Sequence, residues 1–386
     1  MNTTDEDIVT VVGNATTEGV VNSGGTGSVS AEVFTMNIIF AVLGVVGIVG
    51  NTVVCLVLAK VGDFRTTNLF IFNQSLIDLT SSVLVILQNL GPNKYNVVVP
   101  VGLRGQILCK LWLSRYFMWA MFNVSTYNLI SLSLERFAAI VFPIAHRQRF
   151  SLIKAKGVCV FVWALGLAYQ SYWAEANYNK GNGYCGVHYP EGSMQAIIGI
   201  VVFLVEYLVP ITVMAFSYTS MFLILKRRSR KLATTPPSQA PTGGGDTHPR
   251  ANEPQENPSN MKARRNVLKM LVIVCMSYAI CWGPNHIMYL EYNLVGKHHS
   301  RLLINTTVVM AFCNMCVNPI IYALKYRQFQ DGLKKLFCRK KVGAITTSTA
   351  PAVSAGATKS HTSSTQQSRE ANASNSSEPS NRFLAP

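Results

Sequence analysis

Long apolar runs recur along the chain, each closed by a short polar or charged segment. An α-helix rises 1.5 Å per residue, so about 20 apolar residues cross the hydrocarbon core of a bilayer. Seven runs reach that length, over residues 36–60, 67–89, 109–141, 155–173, 195–225, 265–292 and 302–324. The pattern predicts an all-α membrane protein, a seven-helix bundle over residues 36–325 behind a polar tail over 1–35. Beyond Tyr326, Phe329, Leu333, Leu336 and Phe337 share one helical face while Lys334, Lys335, Arg339 and Lys340 lie off it. That periodicity predicts a short amphipathic eighth helix on the membrane surface, over 326–340. Residues 226–262 are rich in Pro, Gly, Ser and Thr between basic ends and predict a flexible connection. Residues 341–386 hold too little apolar content to fold and predict a disordered tail.

Basic residues gather after the first, third and fifth runs, including Lys60, Arg65, Arg147, Arg149 and the strings Lys226-Arg227-Arg228-Ser229-Arg230-Lys231 and Lys262-Ala263-Arg264-Arg265. The positive-inside bias puts those connections in the cytoplasm, the amino terminus outside and the carboxyl terminus inside, at the plasma membrane. Charged residues make up only 13% of the chain and hydrophobic residues 49%, which excludes an ordinary soluble domain. The net charge of +16 sits beside the ends of the runs, so it reads as membrane anchoring and not as a nucleic-acid surface. The first thirty residues lack a basic start followed by an apolar core, which argues against a cleaved signal peptide. The acceptor triplets at Asn2 and Asn14 fall on the outer side and are expected to carry glycans; a similar triplet at Asn123 lies inside a run, so the motif alone decides nothing.

Of nine cysteines, Cys55, Cys159, Cys275, Cys281, Cys313 and Cys316 lie within apolar runs, where a small buried thiol is the simplest reading. Cys109, Cys185 and Cys338 fall near polar segments, and no paired CxxC points to a metal site.

An ionisable side chain in hydrocarbon costs on the order of 2.5 to 3.5 kcal/mol, so each one calls for a reason. Asp78 lies in the second run, Glu206 in the fifth, and Glu135 with Arg136 near the end of the third. For Asp78 a protonated, hydrogen-bonded acid and a cation-binding carboxylate are both open. The Glu135–Arg136 pair reads equally as an interfacial anchor or as a functional pair. Pro210, Pro284 and Pro319 each sit inside a run, where a missing backbone donor bends the helix. A secondary transporter uses the same devices, but no duplication between spans is visible. An enzyme is disfavoured, since no HExxH, GxSxG or paired-carboxylate pattern occurs.

An ordered set of motifs runs through the spans: Gly50-Asn51, then Asn73 with Leu76-Ile77-Asp78, then Ser133-Leu134-Glu135-Arg136-Phe137 followed by Pro143, then Trp163, Pro210 with Tyr218, Cys281-Trp282-Gly283-Pro284, and Asn318-Pro319-Ile320-Ile321-Tyr322. Each string is weak alone, but together they resemble the rhodopsin-like family of G-protein-coupled receptors across nearly the whole membrane region. The resemblance implies a ligand-operated switch that exchanges nucleotide on a heterotrimeric G protein and performs no covalent chemistry. It also implies a sodium pocket of Asp78, Ser125, Asn314 and Asn318 as the one allosteric ion, with no other cofactor. Arg136 is then a latch held by Glu135, Tyr218 and Tyr322 its partners after switching, and Trp282 with Pro284 and Pro319 the pivots. A disulfide between Cys109 and Cys185 follows from the same resemblance.

Two departures stand out. Where relatives carry an acidic partner for the arginine at the start of span six, this chain has Arg264. Cys109 lies 27 residues before Arg136, about half a turn beyond the family's usual spacing.

Ligand classes narrow by matching position. Met118 stands where amine receptors carry an acid, and Phe312 where opsins carry the retinal lysine. The second outer loop, residues 175–193, alternates Tyr178, Tyr184, Val187 and Tyr189 with Gly and polar residues around Cys185, predicting a hairpin at a pocket mouth. Gln88, Arg115, Met118, Glu206, Asn285, His286, Tyr289 and Glu291 are candidate pocket residues, each of which reads equally as an ordinary interhelical side chain. The expectation is a short extracellular peptide ligand, with a resemblance to receptors for galanin and allatostatin; a lipid or other small molecule is the alternative. Thr346, Thr347, Ser348, Thr349, Thr362, Ser363, Ser364 and Thr365 are candidate sites for receptor kinases and hence for arrestin, and Cys338 for palmitoylation beside membrane lipid.

Overall fold

A computed structural model of the chain describes residues 26–62, 65–90, 98–188, 190–234 and 258–337. Its elements are α1 (Thr26–Val61), α2 (Thr66–Leu90), α3 (Leu103–Ile107), a π-helical turn (Leu108–Leu113), α4 (Tyr116–Val141), α5 (Pro143–Arg149), α6 (Leu152–Ala176), β1 (Asn177–Asn179), β2 (Cys185–Val187), α7 (Gly192–Phe203), a second π turn (Leu204–Leu208), α8 (Val209–Thr234), α9 (Pro258–Val295), α10 (Arg301–Lys325) and α11 (Arg327–Phe337). The α3–α4 pair forms the third crossing and the α7–α8 pair the fifth.

Among the described residues, six stretches are long and apolar enough to span a membrane: Phe34–Val61, Thr66–Leu90, Leu152–Ala176, Gly192–Arg230, Arg264–Val295 and Arg301–Lys325. The remaining crossing, α4, has 26 residues, about 39 Å at 1.5 Å each. Asn123, Ser125, Thr126, Asn128 and Ser133 lower its hydropathy, and it can carry them because it is the central helix, packed on α2, α6 and α8. Burial is inverted relative to a protein in water. Phe34, Val42, Val49, Phe161, Phe216 and Ile280 point outward, whereas Asn51, Gln74, Ser75, Asp78, Ser81, Ser82 and Asn128 are buried inside. Lipid solvates the first set, and polar partners must satisfy the second.

The intrahelical prolines explain several of those polar residues. Pro319 has no N–H to give the Met315 carbonyl one turn earlier. Asn51 Nδ2 on α1 donates to that carbonyl at 2.9 Å and to Gly47 O at 2.9 Å. Gly50 allows the approach, because a Cβ there would stand 3.1 Å from the Pro319 ring. Pro210 likewise frees the Glu206 carbonyl, which accepts from the Tyr278 hydroxyl on α9. A proline in one helix thus demands a donor from its neighbour, and the Gly50-Asn51 motif supplies one.

Substituting Asn51→Ala leaves a buried carbonyl unsatisfied, at about 1 to 3 kcal/mol. The expected result is a melting temperature lowered by several degrees in detergent-purified protein; an unchanged melting temperature would remove this role from Asn51.

The helix bounds differ from those the sequence predicts. The first helix begins at Thr26, ten residues before the expected start. The expected flexible connection over 226–262 is helical at both ends, because α8 runs on to Thr234 and α9 begins at Pro258. Lys, Arg and Leu propagate the helix beyond the bilayer, and proline is well suited to a first turn. The third crossing starts at Leu103 and not at Cys109. The surface helix is described over Arg327–Phe337, and Gly332 brings it against Val57 and Val61 of α1. Its apolar side is confirmed: Phe329 is buried, and Leu333 and Leu336 pack against the core.

Candidate functional site

Functional side chains lie along the bundle axis in three levels. The first is the end that carries the disulfide. Cys109 and Cys185 are bonded, with Cα atoms 5.7 Å apart. The two residues in excess between Cys109 and Arg136 are absorbed where the third crossing breaks: a π turn over Leu108–Leu113, then Arg115 in the left-handed region at φ 59°. The helix interruption strands carbonyls that neighbours then satisfy. The Trp173 indole donates to Ser114 O at 2.9 Å, and Ser114 Oγ donates to Lys110 O at 2.5 Å. Lys110 Nζ also meets Glu175 Oε2 at 2.5 Å, tying the turn to the end of α6. The predicted hairpin is present, with Asn179 paired to Cys185 and Tyr178 to Gly186.

Below this lies an aromatic layer. Phe122 meets the Trp282 edge with ring centroids 5.1 Å apart and Phe312 at 5.3 Å, while Trp282 faces His286 at 5.6 Å. A small space of about 10 Å³ beside it is lined by Trp119, Asn123, Glu206, Trp282 and His286 among others. The π turn Leu204–Leu208 inserts an extra residue, which turns Glu206 toward this space.

The second level is the Asp78 carboxylate. Oδ1 accepts from Gln74 Nε2 at 3.0 Å and Ser125 Oγ at 3.3 Å, and Oδ2 accepts from Asn318 Nδ2 at 2.8 Å. Asn314, buried one turn before Asn318, is not among these partners. A hard cation needs oxygen lone pairs directed at it. Asp78 is met instead by N–H and O–H donors, so the arrangement does not fit the sodium ion that the resemblance implied.

The third level is the Arg136 end. Nε and Nη2 of Arg136 donate to the two carboxylate oxygens of Glu135, and Thr66 Oγ1 donates to Glu135 Oε1 at 2.6 Å. His146 Nε2 lies 3.2 Å from the same oxygen. A cavity of about 470 Å³ opens beside this clasp, lined by Arg65, Asn68, Arg136, Arg264, Lys325 and Arg327 among others. The Tyr218 hydroxyl is 2.5 Å from Ser133 Oγ, and the Tyr322 hydroxyl is buried without a partner. Neither tyrosine is a partner of Arg136 in this conformation. The Tyr326 hydroxyl donates to Asn68 on α2, clamping the start of the surface helix.

The chain matches the family described as "7 transmembrane receptor (rhodopsin family)" over residues 50–322. It belongs to that family. It is similar to galanin receptor 2b of Danio rerio, 28% identical over 91% of this chain and 88% of the relative. The rat galanin receptor type 2 is 26% identical, with 84% of this chain and 81% of that one covered. The Bombyx mori allatostatin-A receptor is 26% identical, with 78% and 79% covered. The chain is therefore a multi-pass membrane receptor, and not an enzyme.

Within this rhodopsin-family receptor, the expected disulfide and latch pair are brought together. Of the candidate pocket residues, Glu206 and His286 line the small space beside Trp282. Gln88 is buried with both side-chain polar atoms unpartnered. Asn285 and Tyr289 are buried on α9 outside that lining. Met118 is sealed at 0% exposure in the hydrophobic core. Glu291 pairs with Lys297 at 3.0 Å and His299 at 3.1 Å at the helix end. Arg115 is buried at the break, with its backbone in the left-handed region. The sequence reading missed Gln74, Asn128, Thr66 and His146; a polar residue one turn from Asp78 was the available signal for Gln74. Asn2, Asn14, Tyr189, Cys338 and the tail over 341–386 lie outside the described residues.

Proposed function

We propose that this receptor is gated by a short extracellular peptide and activates a heterotrimeric G protein. The observation that carries the reading is the Glu135–Arg136–Thr66 clasp at the mouth of a basic cavity, in line with the Trp282 layer. A held cation beside an open cavity is one state of a two-state element, and a ligand that prefers the other state shifts the balance. The names of the relatives, receptors for galanin and allatostatin, support a peptide. A disulfide favours the oxidising side, so the Cys109 end faces outward and the Arg136 end the cytoplasm, at the plasma membrane. Glu206 beside His286 offers an acceptor for a basic or amidated peptide group. Glycosylation at Asn2 and Asn14, palmitoylation at Cys338, and kinase and arrestin engagement of the tail belong to the same reading.

The test is guanine-nucleotide exchange in membranes of cells expressing the chain, challenged with a panel of short neuropeptides including galanin and A-type allatostatins. At least one peptide raises exchange, and Glu206→Gln weakens its potency about tenfold or more, as expected on removing a charge from a desolvated pair. Response to lipids alone would replace the peptide reading. Accumulation of a solute with the G protein untouched would replace the receptor mechanism by a carrier.

A further inference from the structure

We propose that the Gln74 amide occupies the place of a cation ligand sphere at Asp78, so that this receptor takes up no sodium ion there and signals independently of sodium. The case rests on the direction of a hydrogen-bond chain. Trp163 Nε1 on α6 donates to Asn73 Oδ1 at 3.0 Å. Asn73 Nδ2 donates to Asn128 Oδ1 at 2.9 Å, and Asn128 Nδ2 to Gln74 Oε1 at 2.8 Å. Gln74 Nε2 then donates to Asp78 Oδ1 at 3.0 Å.

An amide can usually be turned over, exchanging its oxygen and nitrogen. Here two groups of fixed polarity along the chain forbid it. An indole N–H only donates, so Asn73 must present its oxygen to Trp163. Each following amide is then oriented by the one before it. Midway, the Phe70 carbonyl, which only accepts, takes an N–H of Asn128 at 3.1 Å. The chain therefore runs one way, from indole to carboxylate, and Gln74 must direct N–H toward Asp78.

The second Gln74 N–H contact is to Ser125 Oγ at 2.5 Å, which occupies one of the two serine lone pairs. Asn318 closes the other carboxylate oxygen. Gln74 and Asn128 are wholly buried and Asp78 is 1% exposed, so these donors are held away from bulk solvent. An entering cation must expel the Gln74 amide into a packed, apolar surrounding, which also takes from Asn128 Nδ2 one of its two acceptors and leaves it Phe70 O at 3.1 Å. Buried amide groups without partners are costly, and the two losses oppose entry together. Gln74 is thus the specificity-determining residue of this pocket, and four helices are linked by side chains alone.

Thermal denaturation of the purified receptor, followed by tryptophan fluorescence in NaCl against equimolar N-methylglucamine chloride, tests this without any ligand or G protein. It rests on the family fold alone, so it stands or falls separately from the peptide reading. The wild-type melting temperature is expected to be the same in both salts. The variant Gln74→Leu, similar in volume and free of donors, is expected to gain a sodium-dependent rise of at least about 2 °C. Adding Asp78→Asn to that variant abolishes the rise. A sodium-dependent rise in the wild type overturns the proposal, and so does a Gln74→Leu variant that remains insensitive. If Gln74→Leu cannot be purified, Gln74→Met carries the same expectation, and the wild-type comparison still decides whether the ion binds.

Discussion

Serine in place of Cys109 or of Cys185 lowers the melting temperature by several degrees and removes most of the receptor from the cell surface. The disulfide joins positions 76 residues apart, and loops of that size correspond to about 4 kcal/mol of restricted unfolded-chain entropy. Here the bond also holds a backbone that is itself strained. Cys109 lies inside the π turn, and six residues later Arg115 occupies the left-handed region, where a side chain other than glycine is strained by about 1 to 2 kcal/mol. Around the bond, Asn179 Nδ2 donates to Pro100 O at 2.8 Å, and its backbone N–H meets Gln106 Oε1 at 3.2 Å. These contacts fasten the hairpin to the turn only while β2 stays in place. The double variant is expected to be no worse than either single one, because both remove the same bond. Additive losses, or a melting temperature indifferent to reducing agent, would show that the turn is held by something else.

Alanine at Arg136 silences nucleotide exchange, whereas glutamine at Glu135 raises exchange in the absence of ligand. Glu135 is 5% exposed and receives Arg136, Thr66 and the nearby His146. Charge-assisted hydrogen bonds contribute about 1.5 to 3 kcal/mol each, and 1.4 kcal/mol is a tenfold change in an equilibrium, so loss of the clasp is expected to raise basal exchange about tenfold. Arg264 in the same cavity adds positive charge where an acid would restrain Arg136. The unmodified receptor is accordingly expected to signal above an empty-vector control. Exchange assays on membranes with matched receptor density decide both points. Equal basal rates for the wild type and Glu135→Gln would refute the latch, and a fully active Arg136→Ala would separate the cavity from G-protein activation.

Some of this site was legible early because the chemistry was conspicuous. Asp78, Glu206 and Glu135–Arg136 are charges in apolar runs, and hydrocarbon makes every such residue an exception. Gln74 and Asn128 bear no charge, so nothing in the hydropathy pattern singles them out, although both are wholly buried. Their importance lies in whom they bond, and those partners sit on other helices. Asn51 was visible as part of a motif, but its reason is the carbonyl freed by Pro319, 268 positions later. The break in the third crossing left a trace in the 27-residue interval before Arg136. That interval exposed a surplus without revealing how a π turn and one left-handed residue would absorb it.

The chain's own pattern determined the number of crossings, the surface helix and the family, since bilayer thickness and helical pitch turn one-dimensional hydropathy into length and facing. Packing decided the rest. Sealing Met118 into the core, drawing Glu291 to Lys297 and His299, and aiming Gln74 at Asp78 depend on which side chains meet across helices. Periodicity states which way a residue faces along its own axis, and only the assembled bundle supplies the donor or acceptor waiting there.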